Sequence, residues 1–178
     1  MTNANNEGRK ARLETQVVEG FLPIYNKMTG RALRIERLGQ PPEPDVLCRD
    51  ERTGEEYGVE VVTAYYDEHH ARAEWEKARG RDTAGYQLTL PDREENIRVL
   101  AWVARNIRRK ARNKYRVSGW LLLVVLTYTW RLYLCQEEKR VTRLRIPKRP
   151  PFDEIHLLSQ WGELYQLFPE RRWLLPKT

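Results

Sequence analysis

Two carboxylates, Asp45 and Glu60, occur in stretches whose composition predicts neighbouring β-strands. Residues 45–49 and 57–63 are rich in apolar, β-branched and aromatic side chains, which favour strands. The dipeptide Thr53-Gly54 between them is typical of a turn, because glycine tolerates a positive φ. The stretch therefore predicts a β-hairpin that brings the two acids together.

The position of the turn predicts which residues face each other. With the turn centred between residues 53 and 54, Asp45 lies opposite Val62. Leu47 then lies opposite Glu60, so the two acids are diagonal neighbours on one face, about 5–8 Å apart. Two carboxylates at that spacing can share a hard divalent cation such as Mg²⁺ or Mn²⁺, which prefers oxygen ligands. The hairpin therefore predicts a metal-dependent hydrolytic centre.

A solvated surface hairpin is the alternative interpretation of the same acids. The valines around Glu60, at positions 59, 61 and 62, disfavour this alternative, since they indicate a strand buried on both faces. A buried carboxylate is costly unless it is paired or binds a metal.

Pro44-Asp45, followed by a strand that ends in GVEVVT over residues 58–63, resembles the core of the PD-(D/E)XK nuclease superfamily. That family carries Pro-Asp at the start of one strand and an acid-x-Lys pattern on the paired strand. The resemblance implies a restriction-endonuclease-like α/β fold and Mg²⁺-dependent or Mn²⁺-dependent hydrolysis of DNA or RNA. Val62 departs from the pattern, because it stands where the family has its lysine.

The resemblance also implies a set of metal ligands. Asp45 and Glu60 are expected to bind the ion, with the Val61 backbone carbonyl as another oxygen ligand. Many members of the superfamily carry an acidic residue on their first helix, and Glu14 suits that role better than Glu19, because it lies nearer the apolar stripe. A salt bridge at the edge of the core is an equal alternative for Glu14.

Lys110 is the proposed replacement for the lysine missing at Val62. It lies at the edge of the apolar stripe of a predicted long helix, and it could reach the position of the missing lysine at Val62 if that helix crosses behind the hairpin. It would then orient the attacking water and stabilise charge on the phosphate. Lys114 is the second choice, and the alternative for both is an apolar stem on the core with the charge in water.

Further basic residues on the same helix form a candidate nucleic-acid surface. Phosphate contacts of this kind give affinity that does not depend on base sequence and falls with salt. A basic face that is merely solvated is the alternative. The candidates are Arg105, Arg109, Arg112 and Lys114.

The remaining pattern predicts one α/β domain with a central mixed β-sheet flanked by helices. Residues 1–9 are expected to be a flexible N-terminus, and residues 10–178 to form a single nuclease-like domain. Helices are predicted over residues 10–26, 67–79 and 92–115, and a connecting loop over 80–91. Besides the hairpin, strands are predicted over residues 32–38, 120–128, 152–159 and 164–168.

Composition limits the partners and the compartment. The net charge of +7 favours a polyanionic partner such as nucleic acid. The longest apolar run, residues 120–126, is far shorter than the ~20 residues of a membrane helix, and the polar N-terminus lacks a secretory pattern. A cytoplasmic protein with no membrane partner is expected, with Cys48 and Cys135 as reduced core residues, and a homodimer is left open.

Two functional hypotheses follow. The first is a nuclease in which Asp45, Glu60 and Lys110 are catalytic. The second is a domain of the same fold that has lost catalysis together with the family's lysine and binds nucleic acid or a partner protein. Val62 is the feature that favours the second.

Overall fold

The computed structural model describes residues 3–64, 93–127, 144–159, 162–170 and 172–173. Its two helices and seven strands follow in the order α1 (Asn3–Thr29), β1 (Leu33–Leu38), β2 (Val46–Asp50), β3 (Glu56–Ala64), α2 (Arg93–Lys110), β4 (Trp120–Thr127), β5 (Glu154–Ser159), β6 (Leu164–Phe168) and β7 (Arg172–Trp173). Neither of these helices contains an apolar stretch long enough to cross a membrane.

The seven strands form one mixed sheet in which they lie side by side in chain order. The first three strands are antiparallel, β3, β4 and β5 are parallel, and the last two are antiparallel again. Parallel neighbours need a long crossover, and α2 lies in the crossover between β3 and β4. The predicted α/β class with a mixed sheet flanked by helices is confirmed.

Among the described elements, α1 covers one face of the sheet and α2 covers the other. Because side chains alternate along a strand, Val59 and Val61 of β3 face α1, whereas Val62 and Ala64 face α2. The residues that α1 buries are Val18, Phe21, Leu22 and Tyr25, and those that α2 buries are Leu100, Val103 and Ile107. Glu60 therefore lies on the α2 face of the sheet.

Both described helices differ from their predicted ranges. The first begins at Asn3, seven residues before the predicted start at residue 10, and it includes part of the segment expected to be flexible. A helix continues through polar residues because its backbone hydrogen bonds do not require an apolar stripe. The second ends at Lys110 instead of residue 115, after a basic last turn that suits the negative end of the helix dipole. Residues 65–92, with the predicted second helix and loop, and Cys135 lie outside the described residues, whereas Cys48 is a buried free cysteine.

The hairpin forms with a register two positions away from the predicted one. Val46 pairs with Val59 and Leu47 with Gly58, which places Asp45 next to Glu60 rather than diagonal to it. The turn spans residues 51–54, and Gly54, with φ of 73°, lies at its end instead of its centre. A shift by two leaves every side chain on its predicted face, so both acids still lie on the same side.

Two close approaches fix the backbone of Pro44 and Asp45. The Gly39 N–H donates to the Asp45 carbonyl at 3.0 Å, and a Cβ on Gly39 would collide with the Pro44 carbonyl. On the other side, a Cβ on Gly58 would lie 2.5 Å from Pro44 Cγ and 3.0 Å from Val117 Cγ2. Glycine at positions 39 and 58 therefore allows the start of β2 to pack against its neighbours.

Replacing Gly58 by alanine tests this packing. The added methyl group must displace the rigid Pro44 ring, so the Gly58→Ala variant should lose about 1–3 kcal/mol of unfolding free energy in urea denaturation. Gly20→Ala is the matched control, because a Cβ there meets nothing within 4 Å and alanine favours the helix. A Gly58→Ala variant as stable as the wild type would contradict the close approach.

Candidate functional site

A cleft opens where β3 continues past Val46, the first residue of the antiparallel strand β2. The β2–β3 register ends at the Val46–Val59 pair, whereas β3 continues to Ala64. Helix α1 lies on one face of this uncovered segment and α2 on the other, so both helices contribute side chains to the same edge. The cleft has a volume of about 310 Å³ and is lined by Lys10, Leu13, Glu14, Val17, Val61, Val62, Thr63, Arg109 and Lys110.

Asp45 and Glu60 are linked to each other through backbone amides. The Val61 N–H donates to Asp45 Oδ2 at 2.9 Å, and the Asp45 N–H donates to Glu60 Oε2 at 3.2 Å. Their side chains are 13% and 5% exposed, so both carboxylates are largely removed from water. These charge-assisted bonds hold two acids together that would otherwise repel each other.

Lys110 brings a cation to the same two carboxylates. Its ammonium group donates to Glu60 Oε1 and lies 3.8 Å from Asp45 Oδ2. It stands three residues after Ile107, which packs in the same buried cluster as Val62. Because residues three apart share a helix face, the core contact of Ile107 directs Lys110 toward the acids. The structure thus brings Asp45, Glu60 and Lys110 together.

Glu14 reaches the cleft from α1. Its Oε1 atom lies 3.1 Å from Lys10 Nζ, and the same ammonium group is 3.8 Å from Asp45 Oδ1. Glu14 is 15% exposed and lines the cleft, whereas Glu19 is exposed. Glu14 therefore forms a salt bridge and is also a neighbour of the acid pair.

Burial and the charge of Asp45 raise the pKa values of Glu60 and Glu14. Burial raises the pKa of Glu60, and the charge of Asp45 raises it further against the opposing effect of Lys110. The pKa of Glu14 is raised for the same two reasons, with Lys10 acting in the opposite direction. Three acids and two lysines thus form a cluster in which additional positive charge stabilises the ionised acids.

The oxygen atoms of the cluster fit a hard cation, although with two side chains rather than three. Among the described residues, no group of three or more Asp, Glu, His or Cys side chains has the geometry to hold one ion. The Val61 N–H points toward Asp45, past the end of β2. In an extended strand, the N–H and C=O of one residue point to the same side, so the Val61 carbonyl also faces this edge. Asp45, Glu60 and this carbonyl suit Mg²⁺, which keeps several waters.

Lys10 of the cluster and Tyr115 beside it were not singled out in the sequence. Lys10 has one local signal, its i, i+4 spacing from Glu14. Tyr115 is the last residue of the helix predicted over 92–115, but it follows the end of α2. Its hydroxyl donates to the Lys110 carbonyl oxygen at 3.3 Å, and its interaction with Glu60 opposes the rise in the pKa of that acid.

The four basic residues predicted to contact nucleic acid are exposed, but only Arg109 lines the cleft. Arg105 lies with its guanidinium carbon 5.2 Å from the centre of the Trp102 ring. Arg112 and Lys114 follow the end of α2 and are not on the helix. The four residues therefore do not form one helical row.

A scan against protein-family models, a search of curated proteins and a search of solved structures each found no match to this chain. The fold and the cluster alone define the class of protein. It is an α/β protein with a mixed sheet and a charged cleft at the edge of its third strand.

Removing the Lys110 charge tests the balance of the cluster. The Lys110→Met variant should lose about 2–4 kcal/mol of unfolding free energy at neutral pH, because it leaves Glu60 and Asp45 buried without their cation. Without Lys110 the pKa of folded Glu60 rises further above the ordinary value of 4.5. A carboxyl with a raised folded pKa destabilises the fold as pH rises from its unfolded pKa through its folded pKa. The deficit should therefore shrink as pH falls through the folded pKa of Glu60 and be small at about pH 4.

Urea denaturation at pH 4 and pH 7 measures this difference, and Glu60→Gln in the Lys110→Met background should recover part of the loss. Arg112→Met is the matched control, since it removes an exposed charge of the same sign. An equal loss at both pH values would show that the methylene stem of Lys110, and not its charge, stabilises the fold.

Proposed function

We propose that this protein is a metal-dependent phosphodiester hydrolase, a nuclease acting on DNA or RNA, with a restriction-endonuclease-like fold. The observation that carries the proposal is the contact of Asp45, Glu60 and Lys110 in one cluster, of which Lys110 lines the cleft. Lys110 is 50 residues from Glu60 in the chain, yet its ammonium group contacts that carboxylate. A structural salt bridge alone does not require a second buried acid beside the first.

The positions of the acids agree with the resemblance to PD-(D/E)XK nucleases. Pro44-Asp45 stands at the start of β2, and Glu60 lies on the paired strand β3. The lysine expected two residues after Glu60 is Val62, which is 6% exposed within the core cluster beneath α2. Lys110 supplies the positive charge from that helix instead.

In this proposal, each charged group of the cluster and of the cleft lining has a role. Asp45, Glu60 and the Val61 carbonyl would hold a divalent ion, which supplies an acidified water and positive charge for the phosphate. Lys110 lies beside both acids, where its ammonium group can orient the attacking water and stabilise the negative charge that develops on phosphate. Arg109 at the cleft lining can bind the phosphate backbone on either side of the cleaved bond.

Cleavage of plasmid DNA and of a structured RNA tests the proposal. With Mg²⁺ or Mn²⁺, the wild type should cleave at least one of these substrates, and EDTA should stop the reaction. Asp45→Asn and Lys110→Met should each lower the rate about 100-fold or more, because the first removes a ligand of the ion and the second removes positive charge beside the reacting phosphate. Gel quantification of the cleaved fraction over time gives the rates.

Glu51→Gln and Arg34→Met are the controls for this experiment. Glu51 and Arg34 form an exposed ion pair at 3.2 Å between the turn and β1, and neither lines the cleft. Their loss changes the net charge by the same amounts without touching the acid–lysine cluster. Cleavage that is insensitive to EDTA and to Asp45→Asn would assign the activity elsewhere.

A second candidate function is a domain of the same fold that binds nucleic acid without cleaving it. It is favoured by the apolar Val62 and by the two lysines that already neutralise much of the acidic charge. Binding without cleavage, unchanged by EDTA and by Asp45→Asn, would support this second function.

The salt dependence of binding tests Arg109. If its side chain contacts one phosphate, Arg109→Ala should reduce the slope of log affinity against log salt by about 0.7–0.9, with a similar effect on every base sequence. Fluorescence anisotropy with a labelled oligonucleotide, titrated in EDTA at several salt concentrations, measures the slope. Arg34→Ala should leave the slope unchanged, and an unaltered slope for Arg109→Ala would exclude Arg109 from the interface.

A further inference from the structure

We propose that Lys10 is a displaceable internal cation that competes with the divalent ion for Asp45 and Glu14. The inference rests on the proposed function and explains how part of the negative charge of the same site is balanced before the ion binds. It concerns a residue of α1 for which neither the sequence pattern nor the resemblance predicts a role.

The contacts of Asp45 distinguish its two oxygen atoms. Oδ2 accepts a hydrogen bond from the Val61 N–H at 2.9 Å and lies 3.8 Å from Lys110 Nζ. Oδ1 lies 3.8 Å from Lys10 Nζ, which is too long for a hydrogen bond. The charge of Oδ1 is therefore balanced by a cation that is close but not bonded to it, so a divalent ion can take this place without breaking a hydrogen bond to Lys10.

The exposure of the two lysines identifies the one that can leave. The Lys110 side chain is 14% exposed and donates to Glu60, which is 5% exposed. Lys10 is 59% exposed, and its direct partner is Glu14 at 3.1 Å. Moving Lys110 away would leave the buried Glu60 carboxylate without its cation, which is costly. The Lys10 side chain is already largely in water, so its ammonium group can move at little cost in free energy.

Displacement of Lys10 has two consequences for the site. It exposes Asp45 Oδ1 and Glu14 Oε1, which both face the Lys10 ammonium group, to an incoming ion. It also leaves a mobile positive charge at the wall of the cleft, where a phosphate would enter. In the absence of the ion, Lys10 limits the repulsion between Glu14 and Asp45.

Metal binding to Lys10→Met measures the competition directly. Methionine retains an unbranched apolar stem, so the substitution removes the charge and little packing. Calorimetric titration with Mn²⁺ at fixed ionic strength should give an affinity about 3–30-fold higher for Lys10→Met than for the wild type, the range expected for one partly screened charge.

Arg12→Met is the matched control for the titration. Arg12 is exposed on the same helix, and two residues along an α-helix point about 200° apart, so its charge does not enter the cleft. It changes the net charge of the protein as Lys10→Met does, and its Mn²⁺ affinity should equal that of the wild type. An increase of the same size in both variants would overturn the inference, because overall charge would explain it.

Thermal unfolding gives a second measurement that does not depend on catalysis. In EDTA, Lys10→Met should unfold at a lower temperature than the wild type, since Glu14 and Asp45 then lack their cation. At the same Mn²⁺ concentration, its unfolding temperature should rise more than that of the wild type, because a tighter ligand stabilises more. An identical rise in both proteins would overturn the competition.

Asp45→Asn separates this inference from the proposed function. If the wild type binds Mn²⁺ through Asp45 but Lys10→Met binds it equally or more weakly, the inference fails and the nuclease proposal stands. If no variant, including Lys10→Met, shows binding that depends on Asp45, both fail. Binding that appears only in Lys10→Met and is lost on adding Asp45→Asn would support the inference in its strongest form.

Discussion

The burial of the Asp45 and Glu60 carboxylates is the constraint on which the site depends. Two negative charges at the edge of a hydrophobic sheet are unstable unless other groups compensate them. Here backbone N–H groups bind one oxygen of each acid, and Lys110 contacts the second oxygen of Glu60. The raised pKa of Glu60 shows that this compensation is incomplete, because burial and Asp45 outweigh Lys110. A region with this imbalance is suited to binding a further cation, at a cost in stability.

The fold makes this arrangement possible because β3 continues past the point where the antiparallel strand β2 begins. Since β2 stops pairing at Val46, the last residues of β3 have no partner strand on that side among the described residues. Helices on opposite faces can then both reach the same edge, Lys10 and Glu14 from α1 and Lys110 from α2. The glycines at positions 39 and 58 hold Pro44 and Asp45 close enough to complete the site. The cluster thus depends on strand length, helix position and close packing together.

Much of this fold could be predicted from local patterns, whereas its exact pairing could not. Both ends of strand β6 were predicted correctly. The prediction that Asp45 and Glu60 lie on the same face of the sheet was also correct, because an error of two residues preserves the alternation of side chains. The register itself was wrong, since the backbone bonds that place Gly54 at the end of the turn are not visible in the sequence. The end of α2 was also missed. Tyr115 fits the helical period, but the chain leaves the helix after Lys110 and the tyrosine still packs against the core.

The residues of the site also divide into those that local sequence patterns predict and those that only tertiary packing brings to the site. The helical angle of Lys110 indicated a position at the edge of the apolar stripe, which is a local property. The approach of Lys10 to Asp45 depends on the packing of α1 across the sheet, and one sequence without relatives contains no direct signal for that contact.

The last residues of β3, which have no partner strand on the β2 side in the part of the chain that is described, also affect self-association. A strand edge with unpaired backbone groups is a template on which another chain can add a strand, and natural proteins protect such edges with inward-pointing charges. At this edge, the charged groups of Lys10, Asp45 and Lys110 lie beside the backbone that an incoming strand would need to approach. A foreign strand would have to bury these charges, so the same side chains that form the cleft also oppose aggregation through it.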